Sequence, residues 1–503
     1  MKVKHLRSSP PLIPAGKGRA KSKKRNPLQG LSWAAYLLIA FAVGRVLNIV
    51  PVLSSLPLVK VLLVYIVFAL MVQWKVLPKV VAPGNPAVKW AIAFLVWVAL
   101  SITYSTWFGS SRNFILFQFP ILCTLVLVIC KLSVDWEALR NLFFALFVGA
   151  TVLVVASMGT YGGGRLDVES LGDTNELAYM FDSVIPIALA FGMTAASTRR
   201  RLLFYGSVAI MALAVVLTGS RGGMFGLLAV AVYVVLVPAT LKLRERHAAK
   251  SAKSRKRKKK GVIGRLVIWA TAFTLIGVIV WPQLPPEPRA RLASMLSLGS
   301  DYNMTDKVGR MQIWTRGMKA FSERPIGYGI ATYPMVDWRH GGLFYTAHNS
   351  LVLVLVELGP VGLLTYLGML LHLWRGLAKT GRALGRLAAP SEQQRQQATF
   401  CRMSQASLIG NFVAGEFLSA TYYYGHWSTI ALSMALIALF NRENPGSLTA
   451  PNRVLYARSI GRGGDVGHRP DQAPDDVRRP GPRGRRWPAG GGPVAGDHRP
   501  RQG

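Results

Sequence analysis

This chain is short of cysteine, and short of carboxylate relative to its basic residues. Its 503 residues include three cysteines, Cys123, Cys130 and Cys401, each in or beside an apolar run. That scarcity excludes a disulfide framework and a cysteine-based metal centre. Asp and Glu number 22 against 60 Lys and Arg, for a net charge of +38. The motifs of several chemistries are also missing: Walker A, HExxH, GxSxG and any cluster of metal-ligand spacing. Without a nucleotide-binding loop, an activated substrate has to carry its own energy. Two equivalent halves are missing too, because the long polar stretches follow the eighth and ninth apolar runs rather than the sixth. That asymmetry argues against a two-fold carrier.

What is present is apolar sequence in long runs. Half of the residues are hydrophobic, arranged in about twelve stretches of roughly 17–22, each long enough to cross a hydrocarbon core of about 30 Å. They lie near 31–50, 56–74, 88–107, 114–130, 138–158, 177–196, 202–219, 223–240, 262–281, 350–373, 404–421 and 427–441. Spanning segments of this length satisfy their backbone hydrogen bonds as helices. The expected fold is therefore all-α, a polytopic transmembrane bundle of about 12 spans.

The positive charge does not spread as a nucleic-acid surface would. It sits in blocks at Lys2 to Arg25, Arg199-Arg200-Arg201, Lys242 to Lys260, Arg375 to Arg402 and the tail after Asn441. An even number of spans precedes each block, which is the positive-inside pattern, so both termini are expected in the cytoplasm and no nucleic-acid partner is expected. These blocks also suit anionic lipid headgroups. The first run follows a long basic segment without a small-residue cleavage site, so it reads as a retained anchor. The resulting organisation is a basic cytoplasmic tail at 1–30, spans one to nine at 31–281, a periplasmic loop at 282–347, spans ten to twelve at 348–441 and a disordered cytoplasmic tail at 442–503. The tail expectation rests on its Gly, Pro, Arg and Asp content and its lack of aliphatics.

Three external segments follow from this topology: Gly159 to Glu176, Thr218 to Gly223, and Pro282 to Ala347. In the last, Val308, Met311, Ile313, Trp314, Met318 and Phe321 recur at three- and four-residue intervals, predicting an amphipathic surface helix over 307–321 that ends before Pro325. Arg221 lies between two apolar runs on the face where cations are avoided, flanked by Gly219, Gly222 and Gly223, which permit a sharp turn and a close ligand approach. Its guanidinium fork matches a phosphate, although a snorkelling arginine fits the same position. Arg310 opens the expected surface helix, and by itself is one loop cation among Arg289, Arg291, Arg316, Arg324 and Arg339. His348 precedes the tenth span, where the helix dipole disfavours imidazolium and favours bound phosphate. Asn349 and Ser350 equally fit a plain helix cap. Asp173, Asn175 and Glu176 fit a cap or an acceptor-binding set. Glu357 and Glu416 fall within expected spans, where a carboxylate usually has a partner or a role, and His426 near the last span has no evident partner.

The order TGSRGG at 218–223, GRMQIW at 309–314, RPIGYGIATY at 324–333 and AHNSLVLVLVELGPVGLL at 347–364 resembles the O-antigen ligase and polysaccharide polymerase family of bacterial inner membranes. GDTNELA at 172–178 is similar to that family's motif opening a mid-chain span. The resemblance covers roughly residues 160–380. It implies a metal-independent glycosyltransferase without a cofactor. The donor would be a glycan on undecaprenyl diphosphate, and the acceptor lipid A–core, another glycan or, less in keeping with the short connection around Thr421 to His426, a protein. Arg221 and Arg310 would then neutralise the leaving diphosphate and His348 would serve the acceptor hydroxyl, with Asp173, Asn175 and Glu357 as acceptor-binding or structural groups. A polymerase of the same family and a transporter of lipid-linked sugars are the competing readings. The transporter predicts ionisable residues along a path through the bilayer, whereas the best candidates here gather at one surface.

Overall fold

The computed structural model describes residues 29–44, 58–75, 77, 85–167, 173–237, 264, 271, 275, 277–294, 306, 309–387 and 389–444, all within the unit Met1–Leu455. Among them the chain is all-helical. Fifteen α-helices run in order: α1 Gln29–Gly44, α2 Leu58–Gln73, α3 Pro86–Leu100, α4 Phe108–Asn113, α5 Phe119–Leu132, α6 Trp136–Gly159, α7 Thr174–Thr194, α8 Thr198–Leu217, α9 Arg221–Leu236, α10 Pro286–Ala293, α11 Arg310–Glu323, α12 Tyr333–Arg339, α13 Ser350–Leu384, α14 Glu392–Gly415 and α15 Tyr424–Glu443. Six stretches are long and apolar enough to cross a membrane: Pro86–Tyr104, Phe108–Leu132, Trp136–Gly159, Thr174–Thr194, Thr198–Leu217 and Ser350–Leu384. Gln29–Ala42, Leu58–Gln73 and Arg221–Leu236 are shorter apolar helices. The expected span at 262–281 and both expected tails fall mostly outside the described residues. Among the described residues there are thus six long apolar candidate spans, not the twelve expected.

The bundle is built around α7, which packs against α8, α9 and α14, while α13 lies against α3 and α14. α7 is buried along most of its length, whereas α8 keeps Leu202, Leu203, Ile210 and Leu213 exposed, as suits a helix facing lipid. Without a hydrophobic drive between helices in lipid, small residues allow close approach. α1 and α6 meet in this way: a Cβ on Gly44 would stand 2.7 Å from the Gly149 carbonyl oxygen. A polar seam joins α7 to α14, where Ser183 bonds Asn411 and Ser407 donates to the Ser183 carbonyl. Asp182 lies fully buried beside it.

α13 carries a break that organises the loop before it. Pro360 lacks the N–H that would reach the Val356 carbonyl, and Gly359 leaves helical geometry with φ 66°. The carbonyls so released find outside donors. Tyr328 N donates to Val356 O at 3.0 Å, Gly329 N to Glu357 O at 2.8 Å, and Trp97 Nε1 to Leu358 O at 2.8 Å. Gly327 and Gly359 permit this contact, since a Cβ on Gly359 would come within 2.6 Å of the Ile326 oxygen. The 324–333 stretch is fastened on its other side by Ser110 and Ser111, which donate to the carbonyls of Ala331 and Ile330 at 2.7 and 2.5 Å, and by Arg324, which donates to Tyr104 O at 2.8 Å.

Two expectations need adjustment. The amphipathic helix over 307–321 is observed as α11, but Ile313, Trp314 and Ala320 pack on Tyr328, Tyr333, Ala347 and Leu353, leaving Met311 and Met318 as its exposed apolar residues. The apolar face serves the protein's own core because α12 and the start of α13 fold beneath it. The expected run 404–421 is interrupted: α14 stops at Gly415, and a turn carries the chain from Glu416 to Tyr423.

Candidate active site

The turn from Glu416 to Ala420 is where the separate motifs meet. It begins where Gly415 ends α14, and its backbone is held by the start of α13. Ser350 Oγ donates to Leu418 O at 2.9 Å and accepts from Ala420 N, and Asn349 Nδ2 donates to Glu416 O at 3.1 Å. Asn349 is also the N-cap of α13, its Oδ1 accepting from Val352 N at 2.8 Å. Of the pair foreseen as a cap, Asn349 takes that role, while the Ser350 side chain holds the turn instead. It leaves His348 one residue outside the helix.

His348 adopts φ 46°, a left-handed conformation that a non-glycine residue holds only where its surroundings enforce it. The enforcing contacts are visible. Its N–H donates to Ser419 Oγ at 2.9 Å, Thr346 Oγ1 bonds the same hydroxyl at 2.8 Å, and Ala347 O accepts from Trp314 Nε1 at 2.8 Å. Trp314, the last letter of GRMQIW, thus ties α11 to the residue before His348. Burial holds the imidazole below its ordinary range, the Arg310 charge pushes it further down, and Asp173 opposes them. A neutral ring able to accept a proton follows. Its Nδ1 is buried without a hydrogen-bond partner.

Arg310 is the first residue of α11, following the N-cap Gly309. Its guanidinium carbon stands 5.7 Å from the centroid of the Phe417 ring. Arg221 is the first residue of α9. Ahead of it, Gly219 takes φ 61°, and Ser220 caps the helix by accepting from Gly223 N at 3.1 Å. The next residue, Gly222, lies so close to the Cβ of Phe417 that a side chain there would collide with it. Arg221 and Arg310 therefore come from elements that touch one aromatic residue, and His348 hangs from a hydroxyl two positions further along the same turn.

The remaining candidates divide. Asp173 caps α7, its Oδ1 accepting from Asn175 N at 2.8 Å, and Asn175 Oδ1 accepts from Ser220 Oγ at 2.7 Å, which joins the GDTNE segment to the Arg221 turn. Both side chains are thus engaged in hydrogen bonds at the start of α7 and to the Arg221 turn. Glu357 lies at the α13 break, where its carboxylate accepts from Tyr333 N at 3.1 Å and from Tyr422 OH at 3.4 Å, so it supports the site from below. Glu416 lies in the turn rather than inside a span. Burial pushes it up to about 7, with the Asn349 side chain opposing. His426 has a partner after all, Tyr366 OH at 3.1 Å from its Nε2.

Sequence reading missed four participants. Phe417 and Ser419 sit in a stretch that resembles one more apolar run, and only the Gly415-Glu416 interruption signals otherwise. Arg165 donates to Thr218 O at 2.9 Å and bonds Thr174. Ser294, at the end of α10, accepts from Arg221 Nη2 at 2.7 Å. Among the described residues no three His, Cys, Asp or Glu side chains are grouped to hold a metal ion.

A comparison with curated proteins finds no match. Residues 206–367, which include Arg221, Arg310, Glu357 and His348, match the family described as O-Antigen ligase, Wzy_C. Over those residues, about a third of the chain, the protein is similar to the O-antigen ligase family.

Proposed function

We propose that the protein transfers a glycan from undecaprenyl diphosphate to an acceptor hydroxyl at the periplasmic face of the bacterial inner membrane, as an O-antigen ligase. The observation that carries this reading is the meeting of the Arg221 turn, Arg310 and His348 on one short turn at 416–420, within and beside the matched domain. The acceptor oxygen attacks the anomeric carbon, the bond from that carbon to the diphosphate oxygen breaks, and the bonding pair leaves on the diphosphate. Arg221 and Arg310 stabilise the charge that grows there, while His348 takes the hydroxyl proton. The lipid diphosphate is itself a good leaving group, so the reaction needs neither nucleotide nor metal.

Single replacement of Arg221, Arg310 or His348 by Ala is expected to lower transfer at least about a hundredfold, the scale of one lost transition-state contact, with membrane insertion unchanged. Near-normal transfer in all three variants would remove the assignment. The family also contains polymerases. Product sizing with purified undecaprenyl-diphosphate glycan separates the two: single additions mark a ligase and ladders mark a polymerase.

A further inference from the structure

Phe417 lies outside the matched domain, and its position bears on how the site is built. One neighbour of its ring is Phe225 of α9, stacked at 5.5 Å with 22° between the planes. Another is the Arg310 guanidinium at 5.7 Å from the centroid. Gly222 closes against its Cβ, so the residue has no room to move toward α9. The backbone on either side is pinned, by Asn349 at Glu416 O and by Ser350 at Leu418 O. A ring held this way offers a fixed aromatic surface to a cation, and a guanidinium is the cation best suited to lie on one.

We infer that Phe417 is a positioning residue that seats Arg310 by a cation–π contact and so sets its place relative to His348 and the leaving diphosphate. The inference rests on the transferase reading given above. Phe417 touches no reacting atom. It acts through Arg310, and Phe225 and Gly222 act through Phe417.

The test is a double-mutant cycle on the full-length, membrane-inserted protein, with kcat and donor KM measured separately using undecaprenyl-diphosphate glycan. F417L keeps the apolar bulk and removes the ring face; F417W keeps the face. F417L is expected to lower kcat about tenfold, on the scale of one half-buried cation–π contact, and F417W to stay within about threefold of the parent. Arg310→Gln should lower kcat by about a hundredfold or more. In that background F417L should change kcat less than about twofold, because the cation it seats is gone. A merely structural role would make the two losses multiply, and that result overturns the inference, as does full activity in F417L. If F417L does not accumulate as monodisperse protein, F417M, also apolar without a ring face, takes its place under the same criteria. Wild-type activity in Arg310→Gln alone would sink the transferase roles and this inference together. Multiplying losses with an Arg310→Gln that is strongly impaired but still measurable would sink only the inference.

Discussion

His348 combines three features that belong to its own few atoms: a left-handed backbone, a buried Nδ1 and a neighbouring guanidinium. The backbone costs about 1–3 kcal/mol for a non-glycine residue, offset by the Ser419 and Trp314 bonds that flank it. In the proposed reaction the neutral ring takes the proton, and burial together with Arg310 lowers its proton affinity. Activity should therefore hold as pH falls through the ordinary histidine range near 6.5 and decline only below it. Replacing Arg310 by Gln removes one lowering influence, so the acid limb of kcat/KM should move to higher pH in the residual activity. An unmoved limb would separate the two residues. Glu357 allows a second test at this scale. Ala there strands the Tyr333 N–H, whereas Gln keeps an acceptor, so E357A should lose about 1–3 kcal/mol of stability and E357Q less, read as thermal midpoints in detergent.

Among the elements, the interrupted helix α13 does most to shape the site. Gly359-Pro360 and Gly327-Tyr328-Gly329 stand within the quoted motifs at 347–364 and 324–333, but nothing in either string says that one completes the other. The three carbonyls freed by the break accept from residues some 30 and 260 positions away. Gly359→Ala meets both a positive φ and the Ile326 oxygen, so a loss of at least about 2 kcal/mol is expected, with faster proteolysis between 324 and 333. Equal melting and equal cleavage would remove the coupling. α11 was legible to within three residues because helical periodicity is local. That its apolar face packs on α12 and α13 instead of on lipid was not, since an apolar stripe does not state which surface covers it.

At the scale of the molecule, the distribution of basic blocks makes a claim about orientation. Reporter fusions after residue 300 should read as external and fusions after residue 250 as cytoplasmic. A cytoplasmic reading at 300 would invert the placement of Arg221, Arg310 and His348. The six long apolar helices are consistent with a multi-span membrane protein, and the polar seam of Ser183, Ser407 and Asn411 shows where the bundle commits itself to one packing.

Hydropathy and periodicity alone determined that this chain is helical, that it inhabits a bilayer, and that Arg221, Arg310 and His348 stand at helix ends. Each of those properties is set by a residue and its near neighbours along the chain. Tertiary structure decided that α14 stops short, that the turn after it receives all three motifs, and that Phe417, Ser419, Arg165 and Ser294 surround them. The reason is physical: Ser419 meets His348 across 71 residues and Ser294 meets Arg221 across 73. Pairings at such separations are fixed by packing between helices, of which the local sequence carries no record.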